Sequence, residues 1–236
     1  MTAAVDRGDL DEAARQGALA GPAVVERALA SKVRATVLAG IVAAPAVEDR
    51  AELLPALAKL ASGHDRRTAV PAARAARTIA LALATKDLPD DLAADDVQGW
   101  RSSFDQLAFD GTGLIEARIA ALETAAALEH AIDPHELGFD LARALADTDP
   151  ALRIAALTLV PRPTAIAFRA PLVTAIGDHD AGVALAAAQT LCADAADDPA
   201  GVKAALGSAR AQLEALVKAH PNAAETRDAA RCLKER

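Results

Sequence analysis

The sequence predicts an all-α fold, an α-solenoid of about six antiparallel helix pairs behind an N-terminal capping helix. Three observations support this prediction. The apolar residues, 53% of the chain, are mostly Ala, Leu and Val, and Ala and Leu are among the best helix formers. No stretch alternates apolar and polar residues long enough to predict a β-strand. Segments of similar sequence recur at intervals of 31 to 43 residues, which is typical of stacked helix pairs.

Capping residues set the predicted helix boundaries. In an Asp-Pro or Gly-Pro pair, the first residue can act as the N-cap. The proline fits the first turn, where its missing N–H would have no partner in the helix. Such pairs occur at Gly21-Pro22, Asp133-Pro134, Asp149-Pro150 and Asp198-Pro199. The predicted order is a leading helix at 10–19, then pairs at 22–29 with 32–44, 50–61 with 69–85, 96–109 with 114–129, 134–145 with 150–160, 164–176 with 181–192, and 199–219 with 223–234. The evenly spread apolar content leaves no linker, so we expect a single domain over 1–236, with a cap at 1–21 and repeats at 22–236.

The predicted pairs resemble one another in sequence. Residues 117–122 (ARIAAL) return 35 residues later as 152–157 (LRIAAL), and residues 141–155 match 172–186 with a period of 31. One helix pair cannot bury its apolar face alone, so we expect the stacking of successive pairs to supply the core.

Two segments carry a resemblance to a known family. Residues 53–60 (LLPALAKL) followed by Gly63-His64-Asp65, and residues 171–176 (PLVTAI) followed by Asp178-His179-Asp180, resemble the HEAT repeat, including its PBS-lyase-type variants. In that family the first helix often carries a proline, the turn an Asp, and the second helix opens with a Val-Arg-like pair. The resemblance covers about residues 20–236 and implies a solenoid that binds a partner protein on its curved face. Ala184, in place of the expected Arg, and Pro71 depart from the pattern.

Charge and cysteine content bound the class of partner. A net charge of −8 and a pI near 5.1 argue against nucleic acid, because phosphate binding needs a net basic surface. We recognise neither a signal peptide nor an apolar stretch long enough to span a bilayer, and expect no membrane partner. Cys192 and Cys232 stand 40 residues apart, too few and too scattered for a disulfide framework or a zinc site. These features favour a reducing cytoplasm.

Arginines recur about once per predicted pair, at Arg34, Arg77, Arg118 and Arg153. The structural interpretation is a ladder, in which each guanidinium bridges to a helix C-terminal carbonyl or to a turn carboxylate such as Asp65, Asp149 or Asp180. The alternative is a binding stripe for acidic ligands.

Arg66, Arg67, Arg74 and Arg77 form the most basic stretch, and the last three share one face of a continuous helix. This face is a candidate site for phosphate or for an acidic protein segment. The alternative is a solvated face, because no aromatic residue lies nearby to stack on a base.

The sequence that follows carries an acidic run and the single tryptophan. Asp87, Asp90, Asp91, Asp95 and Asp96 predict a solvated loop, with Asp95 or Asp96 as the N-cap of the next helix. Trp100 is a candidate binding hot spot. The alternative is a core position, because Val97, Trp100, Phe104 and Leu107 have the spacing of one buried helical face.

No residue set predicts catalysis, a metal or a cofactor. The sequence lacks nucleophile motifs and glycine-rich phosphate loops, and capping explains the acid pairs Asp147 with Asp149 and Asp178 with Asp180. A surface metal at His130, Asp133 and His135 is conceivable but has no independent support.

Three functional hypotheses follow. The first is a non-catalytic scaffold or adaptor that binds another protein. The second is an enzyme on the same architecture, since HEAT-like chains include alkylpurine DNA glycosylases and bilin lyases. The third is a binder of acidic or phosphorylated ligands through the arginine patch. For the first, we expect the second helices of the pairs to line one face, basic in the early pairs and offering an apolar groove near 181–192.

Overall fold

The computed structural model describes residues 1–85, 92–162, 164, 166–207, 209–222 and 226–234, and within these ranges it contains helices and turns but no strand. The predicted all-α class is confirmed. No helix in the described ranges is both long and apolar enough to cross a bilayer. The chain divides into two compact units, Met1–Phe139 and Asp140–Arg236. The single domain over 1–236 remains a prediction, because continuous helical arrays also contain compact sub-units.

The first unit holds the helices before residue 140. They are α1 (Thr2–Asp6), α2 (Leu10–Ala20), α3 (Pro22–Leu29), α4 (Arg34–Ala43), α5 (Leu54–Ala61), α6 (Arg66–Ala84), α7 (Ala94–Ala108) and α8 (Ile115–Ile132). Short 3-10 segments at Ala44–Ala46 and Arg50–Leu53 connect α4 to α5. The cap predicted at 1–21 therefore contains two helices, and α1 was not predicted.

Helices of the first unit pack in two rows. The row of α4, α6 and α8 is continuous, as is the row of α3, α5 and α7, and each helix also packs on its sequence neighbour in the other row. Small side chains allow close approach: a Cβ on Gly40 of α4 would lie 3.0 Å from the Leu29 backbone nitrogen. Alanines such as Ala72, Ala73 and Ala76 fill the buried side of α6.

The second unit holds the remaining helices. They are α9 (Leu141–Leu145), α10 (Pro150–Thr158), α11 (Ile166–Ala175), α12 (Ala181–Cys192), α13 (Pro199–Leu206), α14 (Arg210–Ala219) and α15 (Thr226–Lys234). Contacts join α9 to α11 and α11 to α13, while α12 packs against α10, α11, α14 and α15. Aspartates at 140, 149, 180 and 198 accept hydrogen bonds from the first-turn amides of α9, α10, α12 and α13.

Two predicted helices have other boundaries in the structure. The predicted start at Asp133-Pro134 is wrong: Asp133 ends α8, and the next helix, α9, begins only at Leu141. The intervening turn brings Gly138 so close to Ala125 of α8 that a Cβ there would collide with the Ala125 carbonyl. The predicted helix at 199–219 is divided after Leu206 into α13 and α14.

The two cysteines, predicted to be too few and too scattered for a disulfide framework, are bonded to each other. Cys192 and Cys232 form a disulfide with a Cα–Cα distance of 5.5 Å. Their separation of 40 residues is bridged because α15 packs against α12. The cysteine pattern therefore gives no support to a permanently reducing compartment, since stable disulfides are typical of oxidising ones.

Candidate functional site

The predicted basic residues lie on the exposed side of α6. Asp65 caps this helix by accepting a hydrogen bond from the Arg67 amide at 3.1 Å, so that α6 begins at Arg66 and continues through Pro71 without a break. The opposite side of α6 is buried against its neighbours. Arg66, Arg67, Arg74 and Arg77 are therefore left exposed on one helix. We call these four arginines, with Glu116 and Glu123 of the adjacent α8, the α6–α8 face.

Two arginines of this face are paired with carboxylates of α8. Arg66 forms an ion pair with Glu116, and Arg77 Nε lies 2.8 Å from Glu123 Oε2. At the N-terminus of α6, Asp65 lies 3.8 Å from Arg34 of α4. Exposed pairs of this kind contribute about 0–1 kcal/mol each, so they organise the face more than they stabilise it.

The other two arginines, Arg67 and Arg74, have no ion-pair partner in the described part of the chain. Arg74 lies at an open cleft of about 510 Å³ between α6 and α8. Charged groups and the Thr78 hydroxyl line this cleft, and Ile119 and Ala120 give it an apolar part. The cleft therefore combines an available guanidinium with a small apolar surface.

Glu123 of the α6–α8 face is partly buried. Burial raises the pKa of its carboxyl, although Arg77 opposes the shift. Desolvation therefore outweighs the ion pair at this position, because the carboxyl group is partly buried between the helices. A ligand that excluded more water from the cleft would favour the neutral form of Glu123 further.

Two of the predicted ladder arginines are buried. Arg118 of α8 is 4% exposed, and its Nε donates to the carbonyl of Ala108, the last residue of α7, at 2.9 Å. Arg153 of α10 is 2% exposed; its guanidinium donates to the Asp147 carbonyl at 2.8 Å and to Asp178 Oδ1 at 3.0 Å. Both are the fourth residue of their helices, and both donate hydrogen bonds to a carbonyl of the turn or helix end beside them.

The other ladder residues lie elsewhere. Arg34 is the first residue of α4 and Arg77 lies in the middle of α6, so neither occupies the position of Arg118 and Arg153. Asp149 and Asp180 act as N-caps, accepting from the amides of Ala151 at 2.9 Å and Val183 at 3.1 Å. The carboxylate that pairs with Arg153 is Asp178.

Trp100 is half-buried on α7, between buried Val97 and buried Phe104. This placement matches the helical spacing in the sequence and leaves part of the indole accessible.

Of the acidic run, Asp87, Asp90 and Asp91 lie outside the described residues. Asp95 and Asp96 lie in the first turn of α7, and the predicted cap is wrong because the N-cap is Ala93. They contribute there through the helix dipole.

The residues of the conceivable metal site lie at the end of α8 and in the turn that follows it. Asp133 Oδ1 accepts from the His135 amide at 2.9 Å, which closes the turn after α8. Among the described residues, no group of three or more His, Cys, Asp or Glu side chains could hold a metal ion.

Two apolar grooves in the described part of the second unit lie along α9, α11 and α13. A groove of about 660 Å³ between α9 and α11 is lined by Leu145 and Pro171, and one of about 550 Å³ between α11 and α13 by Val173 and Ala204. The sequence predicted an apolar groove near 181–192. In the structure most of α12 is instead buried by the four helices around it.

An ion pair between α11 and α13 was missed by the sequence analysis. Arg169 Nη2 lies 2.6 Å from Asp198 Oδ2, while Asp198 Oδ1 accepts from the Gly201 amide at 2.9 Å. The hydrogen bond from Arg169, together with that from Gly201, lowers the pKa of the Asp198 carboxyl. The Asp-Pro cap is visible in the sequence, but its partner 29 residues earlier is not.

No family model matches the sequence, and no curated protein compared with it is significantly similar. The resemblance to HEAT repeats therefore rests on the residues quoted above for it.

Proposed function

We propose that this chain is a non-catalytic interaction module, an adaptor or scaffold that binds an acidic segment of another protein on its α6–α8 face. The observation that carries the proposal is the pair of exposed guanidinium groups, Arg67 and Arg74, without carboxylate partners in the described residues. Arginine binds carboxylates in a bidentate fashion, so two available guanidinium groups on one helix suit an acidic segment.

The architecture we propose for this module is a HEAT-like α-solenoid of about six helix pairs. The successive packing of α4, α6 and α8, and of α3, α5 and α7, supports it in the first unit, since stacked pairs contact their neighbours in such rows. In the second unit, the contacts of α9 with α11 and of α11 with α13 have the same pattern. The cytoplasmic location favoured by the sequence fits this function if the disulfide is transient, because the cytosol keeps most thiols reduced.

The charge of the α6–α8 face favours an acidic partner, although the net charge of the whole chain is negative. The formal net charge is −8, but on this face four arginines stand opposite two glutamates. Screening limits charge interactions at physiological salt to about 8 Å, so a partner on this face experiences the local charge more than the net charge. Exposed Leu81 extends the face along α6 and offers an apolar contact beyond the arginines.

A protein segment suits the face better than nucleic acid. Single-stranded nucleic acid is usually bound by aromatic side chains that stack on the bases, and the α6–α8 face has none. Glu116 and Glu123 on α8 would also repel a continuous phosphate backbone. A segment with separated carboxylates can contact Arg67 and Arg74 while it avoids these two acids.

The test uses a fluorescent acidic peptide of alternating Glu and Ala residues, with binding followed by anisotropy. The double variant Arg67→Glu with Arg74→Glu should bind the peptide at least about tenfold more weakly, because two attractive contacts become repulsive. The matched control, Arg27→Glu with Lys32→Glu, changes the net charge equally but at exposed positions outside the face. If the two double variants lose affinity equally, net charge explains the binding and the proposed face is wrong.

A further inference from the structure

We infer that the C-terminal helix α15 is a redox-controlled latch, which stays on α12 while the Cys192–Cys232 disulfide is intact and leaves α12 when that bond is reduced. Cys192 is the last residue of α12, and Cys232 lies near the end of α15. The two residues are 5% and 6% exposed, so the covalent bond lies inside the contact between the helices. The latch lies within the second unit and is independent of the α6–α8 face.

Noncovalent contacts bury little apolar surface of α15. This helix has only nine residues, TRDAARCLK, and most of them are polar. Besides Cys232, its buried side chains in the described set are Thr226 and Ala229. The neighbouring helices instead bury large side chains, such as Leu191 of α12 and Leu213 of α14. Burying an alanine methyl group contributes far less than burying a leucine, so the apolar contacts of α15 hold it weakly.

The hydrogen bond between α14 and α15 adds little to this small apolar area. Arg210 of α14 donates to the Leu233 carbonyl at 2.9 Å, but this hydrogen bond is exposed to water. An isolated helix shorter than about 12 residues is marginal in water, so α15 cannot persist once it leaves its neighbours. The disulfide is therefore the main constraint that keeps α15 both docked and helical.

The chemistry of release is thiol–disulfide exchange with a dithiol reductant. A thiolate of the reductant attacks one cysteine sulfur, and the S–S bond breaks as a mixed disulfide forms. The second thiol of the reductant then displaces that cysteine. Two electrons and two protons pass to the protein, which leaves with two cysteine thiols, while the reductant leaves as a disulfide. Because both cysteines are almost fully buried, the attack requires a brief local opening of the contact between α12 and α15. Once the bond is broken, the covalent constraint that returns α15 to α12 is gone.

The test measures amide hydrogen exchange of the full-length protein by mass spectrometry, with and without a dithiol. We expect protection of residues 226–234 to fall at least about tenfold on reduction, while α12 and the first unit keep theirs. The variant Cys232→Ala should show the exchange of the reduced protein with or without dithiol. It leaves Cys192 in place on α12, and its circular dichroism should remain that of a helical protein.

Three results would overturn the latch. The first is two free thiols in the air-oxidised, folded protein. The second is unchanged protection of α15 when mass spectrometry shows both thiols to be free. The third is loss of protection throughout 140–236 on reduction, because the bond would then hold the whole unit together rather than one helix.

Discussion

At the scale of single residues, burial separates two kinds of arginine that look alike in the sequence. Arg118 and Arg153 are buried and donate to carbonyls at neighbouring turns or helix ends. Arg67 and Arg74 are exposed, and the described residues provide them with no carboxylate. Buried guanidinium groups that donate to neighbouring carbonyls are structural, whereas exposed ones without carboxylate partners remain available to a ligand.

The variant Arg153→Ala should lower the free energy of unfolding by about 2–4 kcal/mol, because it removes the guanidinium that donates to two turn carbonyls and pairs with Asp178. Urea denaturation followed by circular dichroism measures this loss. The control Arg162→Ala removes an exposed arginine and should change the value by less than about 0.5 kcal/mol. Equal stability of the two variants would contradict a structural role for Arg153.

Acid should weaken the second unit through Asp198. The hydrogen bonds from Arg169 and Gly201 hold the folded pKa of this carboxyl below its ordinary value of 3.8. The charged form therefore stabilises the fold above pH 3.8, and this contribution is lost as the pH falls through the lower, folded pKa. The stability difference between the wild type and Asp198→Asn, measured by urea denaturation at successive pH values, should shrink in that range. A difference that is constant with pH would show that Asp198 acts only as an uncharged cap.

At the scale of helices, the local sequence predicts the starts that an aspartate caps but not a start that packing decides. Asp149, Asp180 and Asp198 cap helices as expected, because an N-cap depends on a side chain and the amides that follow it. The start at Asp133 failed because the packing of Gly138 against α8 decides the path of the chain there. The disulfide between α12 and α15 likewise depends on the packing of two helices that are distant in sequence.

The variant Gly138→Ala tests this packing directly. Its Cβ would collide with the backbone of Ala125, so either the turn or α8 must shift, at a cost of about 1–3 kcal/mol in the free energy of unfolding. Gly99→Ala is the matched control, because a Cβ there meets no atom within 4 Å and Gly99 lies inside α7. That substitution should stabilise the protein by up to about 1 kcal/mol in the same thermal or urea denaturation. If the two substitutions had the same effect, the close contact at Gly138 would not constrain the turn.

At the scale of the whole molecule, the sequence predicted the helical class and the exposed arginines but not the partners of those arginines. Composition and periodicity average over many residues, so a prediction of fold class from them does not depend on any single position. An ion pair such as Arg77 with Glu123 requires two helices to be placed relative to each other, and neither helix pattern contains that information. The chain therefore carries a local basic surface within an acidic whole, which has a kinetic consequence.

Association of the acidic peptide with the α6–α8 face should become slower as salt rises, while dissociation changes less. Exposed charges act mainly by steering the encounter, and salt screens them beyond the Debye length. Stopped-flow fluorescence at several salt concentrations gives both rate constants. In the variant Arg67→Glu with Arg74→Glu, the association rate constant should fall and its decrease with salt should disappear or reverse. Replacing Arg77 instead should change the rate less, because Glu123 already pairs with it at 2.8 Å. If the doubly reversed protein stayed folded and bound the peptide with unchanged rate and unchanged salt dependence, Arg67 and Arg74 would form only a solvated face.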